Sequence, residues 1–483
     1  MTPAQEIDGY RNDVAYNHDY HRELAPEALK LLTLARGWAF PSARPLRYLE
    51  LGYGNGVSLN IHAAATPGEF WGTDIGPQHV EAARALASAS GSGLRLLDQP
   101  FADLLKRTDL PRFDIIVAHG VWSWVSPANR ELIVDILRTH LDDGGLFFLS
   151  TVAYPSEAEL VPLQRLLRAQ RAADPRAALD LAMALRDAGS PYFAAGSAAG
   201  QRLEALKGAP PGYLVHEYLH AHWQPSLFAE TAATLAGAGL RFVSGYRLSD
   251  RYDDLIHPPA TCALLAAIDD PLLRETARDF LKPKRLRFDL FLKGEPASAD
   301  TNALRQQRFV LAATTTDPRL DAPPYRAILE RLAARHGRPK SLDELDVPGP
   351  DPIRSLAPLI DAGAMQPAQA DEAAAAAAPA CARLNVDLLH RSLTGDEIQF
   401  LASPVTGGGI RVNGTTAVLT SSLVRNNTAT GSGGGVDDAD VTQHRRIEPA
   451  QILYGSPDRQ FASNAKPGAC NRCPQPARQR RTP

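Results

Sequence analysis

The sequence predicts an α/β fold: a doubly wound parallel sheet with a helical insertion and a smaller C-terminal domain. Short apolar runs alternate five times with helix-like segments between residues 46 and 150, which is typical of a parallel sheet covered by helices. A glycine-rich turn directly follows the first run, and acidic residues close the first three. Because such sheets bind ligands at the carboxyl ends of their strands, the sequence also predicts a ligand site there.

The sequence bounds of each predicted strand and helix can be given. The predicted strands are Leu46 to Leu51, Glu69 to Ile75, Leu94 to Asp98, Phe113 to Gly120 and Leu146 to Ser150. The fourth is almost continuously apolar, as expected of a parallel strand buried on both faces. The predicted helices are Gln78 to Ser88, Phe101 to Thr108 and Ala128 to His140. Ser126-Pro127 precedes the last of them as a cap and first turn.

The turn after the first strand reads E-x-G-x-G-x-G, with Glu50 followed by Gly52, Gly54 and Gly56. Glycine tolerates positive φ and has no Cβ, so the backbone can approach a ligand closely. The spacing is neither the dinucleotide pattern G-x-G-x-x-G nor the phosphate-binding pattern G-x-x-x-x-G-K-[S/T]. A carboxylate at the strand end suits a cationic ligand better than a pyrophosphate. The motif therefore favours S-adenosylmethionine, whose sulfonium and α-amine are both positive.

Three further residues are predicted to bind this cofactor. Asp74 ends the second strand, 74 − 56 = 18 positions after the last glycine, where a carboxylate can accept bonds from both ribose hydroxyls. Asp98 ends the third strand and is placed to accept a bond from an adenine amino group. His119 follows the fourth strand and is a candidate for cofactor binding and for catalysis, with a purely structural histidine as the alternative.

The glycine motif, Asp74, Asp98 and the turn at 141–145 resemble the class I S-adenosylmethionine-dependent methyltransferases. The segments at 119–126, 212–219 and 287–291 resemble the subgroup with a methyltransferase regulatory domain, whose best-understood members are bacterial protein-lysine methyltransferases. The resemblance covers roughly residues 7 to 412. It implies a Rossmann-like methyltransferase sheet, S-adenosylmethionine as the cofactor and a lysine side chain of a protein as the acceptor.

One departure from the subgroup concerns the segment after the fifth strand. The subgroup has Ser-Tyr-Asn-x-x-Pro-Gly, whereas this chain has Ser150 to Ser156 without the Tyr-Asn pair, so a role of that pair is not transferred. Tyr154, His119 and the N-terminal Tyr16 are the candidate catalytic residues at the mouth of the site. No Asp-Pro-Pro-Tyr motif follows the fourth strand, which counts against DNA amino-methyltransferases.

Two alternatives to a protein acceptor stay open at this stage. The chain could methylate a small molecule or a saccharide, or it could be a non-catalytic module that binds the cofactor. A more remote alternative is a zinc metallopeptidase, because His216, Glu217 and His220 satisfy H-E-x-x-H. Pro211 and Pro225 confine any helix there, and no third ligand follows at the usual spacing. The sequence therefore predicts no metal site.

The composition indicates which partners and which compartment to expect for this protein. The 51 basic and 54 acidic residues give a formal net charge of −3, which does not favour nucleic acid. Four cysteines in 483 residues do not suggest a disulfide framework, in agreement with a reducing compartment. The first residues lack the pattern of a secretion signal, and no apolar run approaches the roughly 18 residues of a membrane span. We expect a cytoplasmic bacterial protein that does not insert into membranes.

The sequence also predicts a division of the chain into six parts. They are an N-terminal helical segment at 1–44, the S-adenosylmethionine-binding core at 45–154, a helical insertion at 155–222, the completion of the sheet at 223–295, a small domain at 305–412 and a disordered tail at 413–483. The insertion would shape the substrate site or a homodimer contact. It is predicted to begin with one helix from Glu157 to Leu185, and an alanine-rich helix is predicted to end at Pro379. A reading-frame shift near Arg411 is a hypothesis for the composition of the tail.

Overall fold

A computed structural model of the protein describes residues 6–7, 10–11, 19–41, 45–170, 176–300, 302–312, 317–334, 338–347, 349–394 and 400–411. The predictions for Tyr16 and for the tail at 413–483 lie outside these residues. A two-stranded hairpin, Glu6–Ile7 with Tyr10–Arg11, precedes the main body.

The centre of the molecule is a seven-stranded sheet. Its strands are β1 (Leu46–Leu51), β2 (Gly68–Asp74), β3 (Arg95–Asp98), β4 (Phe113–Ala118), β5 (Leu141–Val152), β6 (Leu240–Gly245) and β7 (Leu286–Lys293). The spatial order is β3-β2-β1-β4-β5-β7-β6. The first five strands are parallel, and β7 runs antiparallel between β5 and β6. The predicted doubly wound sheet is confirmed.

Helices connect these strands and extend beyond them. They are α1 (Pro26–Ala35), α2 (Val57–Ala65), α3 (Pro77–Ser90), α4 (Phe101–Leu105), α5 (Pro127–His140), α6 (Val161–Ala169), α7 (Ala177–Asp187), α8 (Ala198–Leu206), α9 (Pro211–Tyr218), α10 (Phe228–Ala236), α11 (Asp253–Ile256), α12 (Pro259–Ala266), α13 (Pro271–Leu281), α14 (Ala303–Gln306), α15 (Pro323–Ala333), α16 (Leu342–Leu345), α17 (Pro352–Asp361) and α18 (Asp371–Thr394). Short 3-10 helices occur at Arg22–Leu24, Ala158–Leu160, Pro191–Phe193, Leu248–Arg251 and Pro318–Asp321. No helix in the described part of the chain has the length and apolarity needed to cross a membrane.

The central parallel strands are buried because helices cover both faces of the sheet. All six residues of β4 are buried, as its continuous apolar sequence predicts. One hydrophobic cluster holds Ile115 and Val117 of this strand, and another holds Ile116 and Ala118. Alternate side chains of a strand point to opposite faces, so the two clusters lie on the two sides of the sheet. This core fixes the carboxyl edge at which the candidate site lies.

Three elements differ from their predicted bounds by a large extent. Strand β5 begins at Leu141 rather than Leu146, because the predicted turn is a bulge within the strand and Gly144 takes a φ of 78° there. The single helix predicted from Glu157 to Leu185 is two helices, α6 and α7, and Pro175 between them lacks the amide proton that a helix needs. Helix α18 continues through Pro379 to Thr394, and its buried residues beyond the proline stabilise this continuation.

The remaining regions pack in two different ways. Helices α6 to α9 share a hydrophobic cluster of their own, including Leu163, Leu179 and Leu203, which fits the predicted insertion. The region at 305–412 is predicted as a separate small domain, yet Phe309 belongs to the same cluster as Leu290 of the sheet. Two further strand pairings, of β8 (Arg308–Leu311) with β9 (Lys340–Ser341) and β10 (Met365–Ala368), and of β11 (Phe400–Ser403) with β12 (Gly408–Arg411), complete this region.

Candidate active site

A cavity of about 310 Å³ lies at the carboxyl edge of the sheet. The turns after β1, β2 and β4 form its walls, together with the N-terminal segment near residue 20 and helix α9 of the insertion. Its lining includes Asp19, His21, Glu50, Gly52, Gly54, Gly56, Asp74, Gln99, Phe101, His119, Trp124, His216, Glu217 and His220. The position agrees with the predicted site, because parallel strands carry their ligands at this edge.

All three glycines of the turn after β1 have positive φ: 72° at Gly52, 55° at Gly54 and 70° at Gly56. Two of them also lie too close to neighbouring side chains for a Cβ. A Cβ on Gly52 would lie 2.6 Å from Cγ2 of Val121, and one on Gly56 would lie 2.5 Å from Cβ of Ala83. The turn therefore needs glycine both for its backbone conformation and for its packing.

The carboxylate of Asp74 connects the turns after β1 and β2. Its Oδ2 accepts a 2.8 Å hydrogen bond from the amide of Gly54, and its Oδ1 accepts one of 2.8 Å from the amide of Gly76. Nδ1 of His79 lies 3.2 Å from the same Oδ1. Each carboxylate oxygen has two lone pairs, so Asp74 keeps acceptor capacity for a ligand in the cavity.

Glu50 is a buried carboxyl group at the end of β1, only 4% exposed. Within the described residues, its Oε2 has no hydrogen-bond partner. Burial raises the pKa of Glu50 to about 8, and the negative charge of Asp74 also raises it, while His21 acts in the opposite direction. A buried acceptor without a partner is costly, so this oxygen is well suited to a cationic ligand.

His119 follows β4 and belongs to a cluster that sequence reasoning did not find. Its Nε2 lies 3.2 Å from Oε1 of Glu23, and Nδ1 of His21 lies 3.5 Å from the same oxygen. The two imidazole rings stack with their centroids 3.9 Å apart and their planes 27° from parallel. On its other side, His119 stacks on Phe288 of β7 at 5.6 Å. The backbone amide of His21 donates to Oγ of Ser58, which fixes the N-terminal segment to α2.

Two other predicted site residues, Asp98 and Tyr154, lie outside the lining of this cavity. Asp98 pairs in register with Asp74, but its side chain is exposed and outside the lining, where Gln99 and Phe101 lie instead. Tyr154 follows β5 and is likewise outside the lining. Sequence reasoning also missed Asp19, His21 and Glu23, because no spacing rule connects residues near 20 with the edge of a sheet that begins at residue 46.

The H-E-x-x-H segment lines the cavity but lacks the helical geometry of a zinc site. Helix α9 ends at Tyr218, so His216 and His220 do not face one side of a continuous helix. Burial lowers the pKa of His220 to about 3, with His216 and His222 contributing in the same direction. Among the described residues, only His21, Glu23 and His119 bring three potential metal ligands together. The described residues of this segment therefore lack the helical arrangement of two histidines that the metallopeptidase alternative requires.

Comparisons with known proteins identify the same two regions. The family model described as "Methyltransferase domain" matches residues 49–147, and the one described as "Predicted methyltransferase regulatory domain" matches residues 210–293. The uncharacterized protein sll1526 of Synechocystis sp. is 30% identical over 437 residues, which cover 84% of this chain and 86% of that protein.

Two solved structures share the fold. PKMT2 from Rickettsia typhi in complex with AdoHcy is similar with a TM-score of 0.56 and 18% identity, covering 71% of this chain and 72% of that one. A second structure of PKMT2 from Rickettsia typhi is similar with a TM-score of 0.57 and 18% identity, covering 73% of this chain and 76% of that one. With these matches, the glycine turn and the strand order, the chain belongs to the class I S-adenosylmethionine-dependent methyltransferases that carry a methyltransferase regulatory domain.

Proposed function

We propose that this methyltransferase modifies lysine side chains of proteins. The observation that carries the proposal is the charge of the cavity, whose lining includes Asp19, Glu50, Asp74 and Glu217 and neither lysine nor arginine among the described residues. Glu50 and Asp74 are assigned to the cofactor, so two carboxylates remain for a second cationic group. An ammonium group is attracted to such a site, whereas an anionic acceptor is repelled.

The residues present fit S-adenosylmethionine. Glu50 offers an unpartnered carboxylate oxygen to a positive group, and Asp74 offers acceptors at the end of β2. The glycine turn borders the cavity and packs so closely that a Cβ on Gly52 or Gly56 would overlap Val121 or Ala83. We also propose that Asp98 contacts the cofactor at the exposed edge of the site, since its side chain lies outside the cavity lining.

The bound cofactor supplies a methyl group on a sulfonium, whose leaving group is a neutral thioether. The chain contributes position and proton transfer. A lysine ammonium with an ordinary pKa of about 10.4 must first lose a proton, and a partly desolvated aromatic wall favours the neutral amine. Trp124 is buried in the wall of the cavity, and His119 supplies an imidazole beside it. Tyr154 and Tyr16 remain candidates for the mouth of the site.

The similarity to PKMT2 and the sequence resemblance to bacterial protein-lysine methyltransferases support the same acceptor. The proposal is tested with S-adenosylmethionine labelled with tritium on its methyl group. The purified chain is incubated separately with the protein fraction and with the small-molecule fraction of a bacterial lysate, and the proteins are then hydrolysed. We expect label in methylated lysine and none in either fraction with Asp74→Ala. Label confined to the small-molecule fraction, or to other amino acids, would overturn the proposal.

A further inference from the structure

His21, Glu23 and His119 form a cluster beside the cavity, and its two histidines, here called the imidazole pair, line the cavity wall. One carboxylate oxygen, Oε1 of Glu23, lies 3.2 Å from Nε2 of His119 and 3.5 Å from Nδ1 of His21. The side chain of Glu23 is 14% exposed and that of His119 15% exposed, so bulk water screens these contacts little. The cluster joins the N-terminal segment to the turn after β4.

The geometry favours proton sharing over metal binding. A metal ion bound by two imidazoles must lie in both ring planes, because each lone pair lies in the plane of its ring. The rings of His21 and His119 are stacked with centroids 3.9 Å apart and planes only 27° from parallel, so the two planes do not meet close to the rings, where a shared metal ion would have to lie. In contrast, Nε2–H of His119 donates to Oε1 of Glu23, and a charged His21 pairs with the same oxygen at 3.5 Å, which requires no common point in the two ring planes.

We propose that Glu23 holds His21 and His119 as one unit that carries a single proton, and that His119 is the base that takes the proton of the methyl acceptor. Glu23 and His21 are then positioning residues for His119. The inference rests on the proposed function, because it assigns the proton transfer that an ammonium acceptor requires.

The tautomer of His119 follows from its partner. An ionised carboxylate only accepts hydrogen bonds, so Nε2 of His119 must carry a proton to donate to Glu23. Nδ1 is then left with its lone pair and is the nitrogen that can accept another proton. An imidazole whose orientation and tautomer are fixed by a carboxylate is the usual form of a histidine base.

The charges around the cluster support one proton on the pair. Burial lowers the pKa of His21, but the carboxylate of Glu23 and those of Asp19 and Glu50 outweigh it, and the net direction is upward. Burial and the charge of His21 lower the pKa of His119. Burial raises the pKa of Glu23, but both imidazoles outweigh it and hold this pKa well below its usual range. His21 therefore carries the shared proton, and His119 stays neutral and able to act as a base.

Other titratable groups face the cluster from the elements packed around it. They are Asp19, Arg22, Glu50, His62 and Tyr246. Burial lowers the pKa of His62 to about 3, so this ring stays neutral at physiological pH. Burial raises the pKa of Tyr246 to about 12, so its hydroxyl stays protonated. Neither group titrates in the range in which the imidazole pair acts.

The proposed step balances as a simple proton transfer. One N–H bond of the acceptor ammonium breaks, its electron pair stays on nitrogen, and the proton moves to Nδ1 of His119. The pair with its carboxylate then changes from net zero charge to a net charge of +1, beside the carboxylates of Asp19 and Glu50. The proton passes to water when the product leaves, and the unit returns to its resting charge.

The first test needs no acceptor. Full-length protein with ¹⁵N-labelled histidine is titrated by NMR, with S-adenosylhomocysteine as the probe that fills the cofactor site. We expect His119 as the Nε2–H tautomer, and we expect Glu23→Gln to lower the midpoint of His21 by at least about one pH unit. His390→Gln, on the exposed side of α18, is the matched control and should leave both signals unchanged. Independent titration of both rings, unaffected by Glu23→Gln, or a stoichiometric metal ion in the purified protein, would overturn the proposal.

The second test uses the pH profile of lysine methylation in single turnovers. Because Glu23 raises the pKa of its imidazole partners, Glu23→Gln should move the acidic limb to lower pH and reduce the plateau rate, while Glu23→Asp restores part of both. His119→Ala should reduce the plateau at least about 10²-fold. A profile that keeps its acidic limb in Glu23→Gln would contradict the role of Glu23. If no lysine is methylated, the proposed function fails, yet the NMR titration still decides the state of the imidazole pair.

Discussion

The amide of Gly54 donates a 2.8 Å hydrogen bond to Oδ2 of Asp74. This contact connects the glycine turn after β1 to the acidic end of β2, the two features that the sequence indicates most clearly. A positive φ of 55° at Gly54 gives the amide its direction. The carboxylate therefore has two roles, since it orders the turn and also lines the cavity.

Asp74→Ala should remove both roles. It leaves the amides of Gly54 and Gly76 without their acceptor, and hydrogen bonds to a charged group contribute about 1.5–3 kcal/mol each. We expect loss of S-adenosylmethionine binding in calorimetry, with the chain still folded by circular dichroism. Asp143→Ala is the matched control, because that side chain is exposed and outside the cavity lining. An equal loss of affinity in both variants would show that the cavity does not define the cofactor site.

Gly56→Ala tests why the turn needs glycine. The residue has a φ of 70°, and its Cβ would lie 2.5 Å from Cβ of Ala83. Gly239→Ala is the matched control, since Gly239 has a φ of 79° and no heavy atom within 4 Å of a Cβ. Both changes cost strain, but only the first adds an overlap of about 1–3 kcal/mol. Urea unfolding should therefore show a larger loss for Gly56→Ala, and equal losses would contradict the steric argument.

Glu50 should couple stability to pH. Its pKa in the folded protein is about 8, above the ordinary value of 4.5. The folded state thus keeps a proton that the unfolded chain has lost, and the stabilisation present below pH 4.5 decreases by about 1.4 kcal/mol per pH unit as the pH rises towards 8. In Glu50→Gln, we expect the free energy of unfolding to depend less on pH across this interval. An unchanged pH dependence would contradict the assignment.

The carboxyl group of Glu50 should release a proton when the cationic cofactor binds at pH 7. The positive ligand favours the ionised form of Glu50, so binding converts a largely protonated group into a carboxylate. Calorimetric titrations in buffers of different ionisation enthalpy measure this release. We expect up to one proton per site in the wild type and a smaller number in Glu50→Gln, and equal release in both would contradict the role of Glu50.

Leu384→Ala tests the attachment of the C-terminal region to the cofactor half. Leu384 of α18 is fully buried in a cluster with Val57 and Ile61 of α2, the helix that begins at the glycine turn. A buried Leu→Ala change costs about 2–5 kcal/mol. Val386→Ala lies two residues further on the same helix, 64% exposed, and should change stability little. Similar stability of the two variants in urea unfolding would show that this packing is not as described.

Arg287 is the centre of a buried ionic network between β7 and α13. Its guanidinium donates to Asp279, Asp289 and Glu275 over 2.7–2.8 Å and is itself 1% exposed. Arg287→Met removes the buried cation that these three carboxylates share, so we expect a loss of about 3–5 kcal/mol. Arg241→Met breaks only the exposed pair with Glu295 and should cost less than about 1 kcal/mol. Thermal unfolding of both variants measures the difference.

The sheet was predictable because its strands carry a strong local signal. Apolar runs, the glycine turn and acidic strand ends determine β1, β2 and β4 within a few residues, and Gly52, Gly54, Gly56, Glu50, Asp74 and His119 do line one cavity. Elements whose conformation depends on tertiary packing were less predictable. Helix α18 continues through Pro379 because residues such as Cys381 and Leu384 are buried against α2, and no local rule contains that contact.

At the site, the imidazole pair shows which residues could not be predicted from the sequence. His119 was identifiable because it ends a strand, whereas His21 and Glu23 lie 98 and 96 positions away along the chain (119 − 21 and 119 − 23). His21 lines the cavity, and its backbone amide holds the N-terminal segment against Ser58 of α2. Asp98 was predicted as a site residue but does not line the cavity. The strand register places it beside Asp74, yet its side chain is exposed.

Equilibrium dialysis with radiolabelled S-adenosylmethionine tests the central claim most directly, because it measures the cavity without needing an acceptor. The account predicts saturation at one molecule per chain for the wild type, with binding abolished by Gly54→Val and by Asp74→Ala in variants that remain folded. No binding to the wild-type chain, or equal binding to all three proteins, would contradict it.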